Sequence, residues 1–169
     1  ILVCSFGLLG PSKQNHRLLK AWTESSLAHR PNCHLVFVGQ NDEGEYGQEI
    51  LSLINQSPHK ACIRITGWAD QDLYRNYLSA ADIAVQLRTL SRGETSGTVL
   101  DAMNYGLALV VNANGSMADI DQRTVRMLPD EFSNQELANA LEQLADDREL
   151  RATLGENAQN SIHKLHDPL

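Results

Sequence analysis

No stretch of the 169 residues is apolar for long enough to cross a membrane, and no secretory leader is visible. Basic charge is in the minority. Fourteen Lys and Arg stand against 21 Asp and Glu, a net charge of −7, which argues against nonspecific nucleic-acid binding. Cysteine is scarce, and Cys4, Cys33 and Cys62 lie at no metal-like spacing. Two of them fall in apolar runs and Cys33 just precedes one, so reduced structural thiols and a cytoplasmic setting are expected. His16, His29, His34, His163 and His166 show no ligand spacing either, and no metal is expected. Internal repeats and low-complexity segments are absent. So is an initiating methionine: Ile1–Ser5 already reads as a strand, and the chain is expected to be a fragment of a longer protein.

What is present is a chain of single-domain size with 42% hydrophobic residues. Strands are expected at 1–5, 34–38, 61–66, 83–85, 107–111 and 124–128, each an apolar run with little polar alternation. Between them lie helical patterns. One follows the loop Gly7–Lys13 and runs to about Ala28, with Leu18, Leu19, Trp22 and Leu27 on its apolar side. A second carries Ile50, Leu51 and Ile54 and is closed by Pro58. A third, capped by Asp70, carries Leu73, Tyr77, Leu78 and Ala81. Ser133 and Glu136 form a capping box before Leu137, Leu141 and Leu144, and a last helix runs from Asp147 to about Leu165. Trp22 reads as core, and Arg17, Lys20 and Arg30 as a solvated helix face. Strands without alternation, separated by helices, imply an α/β doubly wound, Rossmann-like parallel six-stranded sheet with helices on both faces.

The most informative stretch is 91–106, which reads as glycine-rich loop and then helix. Gly93 and Gly97 bracket Thr95 and Ser96, and Val99, Leu100 and Met103 follow at helical spacing up to Gly106. Unpaired N–H groups at a helix start, backed by the macrodipole, suit a phosphate. Asp101 lies about 6 Å further along the axis, at about 1.5 Å per residue, within reach of a ribose attached to that phosphate. Ser96 reads equally as a plain N-cap, Asp101 as a solvated acid and Glu94 as loop polarity. In a doubly wound sheet, ligands bind beyond the carboxyl ends of the strands where the strand order reverses. In the usual six-strand order, that point joins the Gly7–Lys13 loop to the Gly93–Gly97 loop.

Seven segments in order carry a family resemblance: Gly7–Lys13, Leu35–Gly39, Ile65–Trp68, Tyr77–Asp82, Gly93–Gly106, Asn114–Ile120, and the closing helices from Glu136 to Ala158. On these the chain resembles the C-terminal, donor-binding domain of a retaining GT-B glycosyltransferase of the group 1, family 4 type. The resemblance implies a transferase that binds a UDP- or GDP-sugar, in bacterial polysaccharide, O-antigen or glycolipid synthesis. It also implies a missing N-terminal acceptor domain, an isolated domain without transferase activity, and a cytoplasmic location with possible peripheral attachment at the inner membrane face. No metal and no nucleic-acid partner belong to this picture.

By the same resemblance Lys13, with Gly7 and Gly10 around it, contacts the donor diphosphate. Asp101 accepts hydrogen bonds from the ribose, Glu94 holds a donor-sugar hydroxyl, and Gly67 and Trp68 border the base. Ser96, Gly97 and Thr98 form the helix start at the phosphates. Two departures stand out. Six residues rather than seven separate Glu94 from Asp101, and Leu8 stands where an arginine often precedes the loop lysine. Arg88 or Arg92 is the expected replacement for that charge. The alternative is a nucleotide-binding or regulatory Rossmann-like module with no transferase role. It is weakened because the first loop lacks a Gly-x-Gly-x-x-Gly run and Gln40, not an acid, follows strand two. A domain kept only for protein contacts is a third reading, resting on the shortened Glu94–Asp101 spacing.

Overall fold

The apolar runs do form the sheet. In the computed structural model, which describes residues 1–90 and 96–166, six strands lie parallel in the order β3-β2-β1-β4-β5-β6. They are β1 Leu2–Phe6, β2 His34–Val38, β3 Ile63–Ile65, β4 Ile83–Gln86, β5 Ala108–Asn112 and β6 Arg126–Leu128. The helices are α1 Asn15–Glu24, α2 Glu45–Gln56, α3 Gln71–Ala80, α4 Gly97–Asn104, α5 Asn134–Asp146 and α6 Arg148–His166. The order reverses between β1 and β4, as the doubly wound pattern requires.

Strand residues alternate between two cores. Val3, Leu35, Phe37, Val85 and Val110 face one side, against Leu18 and Trp22 of α1, Ile50 of α2 and Leu137 and Leu141 of α5. Cys4, Val36, Val38, Leu109 and Val111 face the other, against Leu78 of α3, Val99 and Met103 of α4 and Ile162 of α6. With both faces covered, every strand position favours an apolar residue, which is why the strands show no polar alternation. Each fully buried large side chain contributes about 1.5–3 kcal/mol. Trp22 is fully buried, as its helical spacing suggested.

Local chemistry set most boundaries. Asp70 caps α3 by accepting the Leu73 N–H at 2.8 Å, and Ser133 and Glu136 make the reciprocal capping box of α5. The first helix is shorter than expected. Ser25, 1% exposed, donates its hydroxyl to the Trp22 carbonyl at 2.7 Å, and the chain turns there into a 3-10 segment at Ser26–His29. A serine hydroxyl that takes a helix carbonyl competes with continuation of the helix. β6 also starts late, because Thr124 donates both its N–H and its hydroxyl to the Asp121 carbonyl and holds a turn. β3 is cut to three residues by a 3-10 turn at Lys60–Cys62.

Arg17 is not a solvated side chain. Its guanidinium donates to Asn134 Oδ1 at 2.8 Å and to the Phe132 carbonyl at 2.5 Å, and lies 4.4 Å from the centre of the Phe132 ring, bracing α1 to α5. Arg30 pairs with Asp146 at 2.6 Å, while Lys20 is exposed as expected. The three cysteines are free thiols. Burial, with help from the Asp82 charge, pushes the Cys4 thiol up to about 12, so it stays protonated and unreactive.

Candidate functional site

The site begins where two strands part. β1 and β4 pair through Val3–Ile83 and Cys4–Ala84, and beyond them the Gln86 side chain replaces the backbone ladder. Gln86 accepts the Phe6 N–H at 2.7 Å and donates to the Phe6 carbonyl at 2.9 Å. The same amide nitrogen donates to Thr98 Oγ1 at 2.7 Å, in the first turn of α4. This buried carboxamide therefore wedges the strands apart and fixes the helix start over the gap. It reads in the sequence only as the polar tail of a strand.

From the end of β1 the chain turns at Gly7, with φ 105°, and its N–H bonds to the Val38 carbonyl of β2. A Cβ on the neighbouring Gly39 would overlap the Gly7 carbonyl, so the two strand ends can lie this close only with glycine there. Leu9 donates to Gln40, and Gly10 donates to Asn15 Oδ1 at 2.9 Å. The amides of this loop at 7, 9 and 10 are thus committed within the protein. What the loop offers outward is Lys13.

The Lys13 ammonium lies over Gly7, 3.1 Å from where a Gly7 side chain would begin. Among the described residues it has no hydrogen-bond or ion-pair partner. Burial lowers its pKa from the ordinary lysine value, and the nearby Arg88 charge lowers it further. Arg88, half-buried after β4, has its own pKa lowered by burial. It donates to the Leu87 carbonyl at 2.8 Å and to Ser96 Oγ at 2.9 Å, and among the described residues meets no carboxylate. Two cations therefore crowd one another, neither ion-paired to a carboxylate among the described residues.

Ser96 is the N-cap of α4 in position, but its hydroxyl does not cap the helix. It accepts from Arg88 and shares a 2.8 Å hydrogen bond with Thr98 Oγ1. The helix start, including Gly97, is left with its positive end toward the two cations. Two positive side chains beside a helix start form an arrangement that suits an anion.

Two further positions come from the segment after β3 and from α4. Trp68, after Gly67 at the end of β3, is 76% exposed and presents a free ring face. Asp101 lies on α4, one turn in from Gly97, and Tyr74 of α3 donates its hydroxyl to Asp101 Oδ2 at 2.7 Å. Of the residues singled out from sequence, Gly7, Lys13, Arg88, Ser96 and Thr98 are brought together, Gly97 lies in the same helix turn, and Asp101 stands one turn further along α4 against Tyr74. Gly10 supports the loop through Asn15, and Gly67 and Trp68 follow the edge strand β3, two strands from β1. Glu94 and Arg92 lie outside the described residues.

Other contributors were hidden in the sequence. Asn112, fully buried at the end of β5, accepts the Arg88 N–H at 2.8 Å and donates to the Arg88 carbonyl at 2.7 Å. Gln14, at φ 52° ahead of α1, donates to that carbonyl as well at 3.0 Å. Together they pin the backbone that carries the guanidinium. On its other side an open cleft of about 510 Å³ continues past Gln14, Arg17, Asn114, Asp130 and Phe132. Among the described residues, no three His, Cys, Asp or Glu side chains gather closely enough to hold a metal.

Comparison with known proteins agrees with this geometry. The family described as Glycosyl transferases group 1 matches residues 1–161. An alpha-D-kanosaminyltransferase of Streptomyces kanamyceticus is 30% identical over 159 residues, 93% of this chain but 39% of that protein. Among solved structures, Anabaena Alr3699/HepE in complex with UDP superposes with a TM-score of 0.83 at 22% identity, covering 96% of this chain and 44% of that one. The C-terminal domain of a group 1 family glycosyl transferase, LpcC from Francisella tularensis, superposes with a TM-score of 0.81 at 21% identity, covering 98% and 85% respectively. The chain thus spans about two fifths of its curated relative. Sheet order, the crevice at the strand reversal and the family match lead to one conclusion: this chain belongs to the glycosyl transferases group 1 family.

Proposed function

We propose that this chain is the donor-binding half of a retaining glycosyltransferase and that its crevice takes a nucleoside diphosphate sugar. The observation that carries the reading is the pair of half-buried cations, Lys13 and Arg88, set without a carboxylate partner among the described residues beside the start of α4. Keeping such charges uncompensated costs stability, and a diphosphate repays that cost. Asp101 then accepts from the ribose hydroxyls, and the exposed Trp68 borders the base. The UDP complex of the structurally similar Alr3699/HepE supports a nucleoside diphosphate as the ligand class.

In the transfer step the anomeric carbon loses its bond to the diphosphate oxygen, whose electron pair leaves with the diphosphate. It gains a bond to an acceptor hydroxyl oxygen, whose proton passes to the departing diphosphate. Charge grows on the diphosphate oxygen as its bond to carbon lengthens. Lys13, Arg88 and the helix start are oriented before the reaction, so they stabilise that charge without reorganising, which is the largest single contribution at many such sites. In this reading the leaving group needs no metal. The acceptor is bound by a further domain of the longer protein, and the chain by itself binds donor without transferring it. The Streptomyces relative, named for kanosaminyl transfer, favours a hexose or aminohexose donor.

Calorimetric titration of the chain with UDP, GDP and NAD, with and without EDTA, tests the reading. Binding of UDP or GDP that survives chelation is expected. NAD bound as tightly as either would favour the dinucleotide-binding alternative, and loss of diphosphate binding on chelation would sink the metal-free site.

A further inference from the structure

Asp101 is a short side chain with two oxygens and, once ionised, only acceptor capacity. One oxygen is already taken: Tyr74 donates its hydroxyl to Oδ2 at 2.7 Å. The phenol is itself held in place. Its ring meets Phe6 edge-on, with centroids 5.5 Å apart and planes at 76°, and Phe6 is the last residue of β1, immediately before the Gly7 turn. Phe6 is in turn bonded to Gln86, and Gln86 to Thr98 of α4. A chain of contacts thus runs from α3 through the crevice floor to both ends of the anion site.

From this geometry we infer that Tyr74 is a positioning residue. By holding Oδ2 it turns Asp101 so that Oδ1 alone faces the ligand, making the ribose hydroxyls a requirement for tight binding. Without the phenol the carboxylate, free about its two side-chain torsions, can turn both oxygens toward water, and a deoxyribose then forfeits less. Burial first, and then the hydrogen bond and charge of Asp101, raise the Tyr74 pKa above its ordinary value, so the group remains a donor at any working pH. A merely structural brace between α3 and α4 would influence all ligands alike. The positioning role acts on one feature of the ligand, the sugar hydroxyl.

This inference rests on the donor-site reading, and the experiment separates the two. Affinities for UDP, GDP and their 2′-deoxy and 3′-deoxy forms are measured calorimetrically on the wild-type chain, Tyr74→Phe, Asp101→Asn and the double variant. Tyr74→Phe keeps the ring and its contact with Phe6. A hydrogen bond to a charged group corresponds to roughly 10- to 100-fold in affinity, so wild type should prefer at least one ribonucleotide over a deoxy form by about that factor. In Tyr74→Phe the preference should shrink severalfold while deoxy affinity barely changes. In the Asp101→Asn background the same replacement should have no further effect. An unchanged ribose preference in Tyr74→Phe, or equal weakening of ribo and deoxy forms, overturns the positioning role and leaves the donor site standing. A wild-type chain that binds neither diphosphate overturns both.

Discussion

Gln86 hydrogen-bonds the backbone of Phe6 twice, accepting its N–H at 2.7 Å and donating to its carbonyl at 2.9 Å. A side chain does there what the next residue pair of the β1–β4 ladder would otherwise do. Replacing Gln86 with leucine keeps the volume but orphans both groups of Phe6. An unsatisfied buried polar group costs about 1–3 kcal/mol, so Gln86→Leu should lose about 2–4 kcal/mol in denaturant unfolding. It should also weaken diphosphate binding, because Thr98 loses its tie. Unchanged stability would show that these bonds are dispensable.

Lys13 should be worth more to function than to the fold. Lys13→Met removes a half-buried cation that repels Arg88, and is expected to raise the melting temperature of the unliganded chain by about 2–4 °C, on the order of 1 kcal/mol for a domain this size. The variant should lose roughly ten- to a hundredfold in diphosphate affinity while nucleoside affinity stays within about twofold. Differential scanning calorimetry and titration read the two halves separately. If nucleosides suffer as much as diphosphates, Lys13 does not face the phosphates.

The Lys13 shift also sets a pH dependence. Its folded pKa lies below the unfolded value of 10.5, so between the two the unfolded chain holds the extra proton. Stability therefore rises with pH through that window, and the penalty of the charged lysine is present in full below the folded pKa. Diphosphate affinity runs the other way and falls as the pH climbs past the folded pKa and the ammonium is lost. Lys13→Arg stays charged and should lack both dependences, while serving as the control for ionisation of the ligand itself. Titrations between pH 7 and 10 on both proteins would reveal a shared slope if another group is responsible.

The α6 packing gives a test far from the site. A Cβ on Gly155 would overlap the backbone carbonyl of Gly106, in the turn between α4 and β5. Alanine within a helix normally gains about 1 kcal/mol over glycine. Here the contact is with backbone that cannot swing aside, and overpacking of about 1–3 kcal/mol should outweigh the gain. Gly155→Ala is expected to lower the melting temperature with little change in ligand affinity. A stabilised variant would mean that α6 can shift freely on α4.

The sequence by itself determined the order and kind of the elements, the parallel sheet and its two covered faces. It also located the crevice, through glycines and a helix start at the chain reversal. These are local properties: a run of Ile83-Ala84-Val85 cannot face water on either side, and Asp70 or Ser133 caps a helix with atoms three residues away. Lys13 and Asp101 were legible for the same reason, since each sits a few residues from a recognisable turn or helix start, whereas Arg88 was reached only through the family resemblance, as one of two replacements for a missing arginine. The tertiary structure alone decided what holds them. Gln86 meets Phe6 across 80 residues, Arg17 meets Asn134 across 117, Tyr74 meets Asp101 across 27 and Asn112 meets Arg88 across 24. It also diverted the Ser96 hydroxyl from the helix it heads to the Arg88 guanidinium. A polar residue's periodicity carries no sign of its partner. That choice is made only when packing brings distant backbones within about 3 Å and withdraws the water that would otherwise have satisfied them.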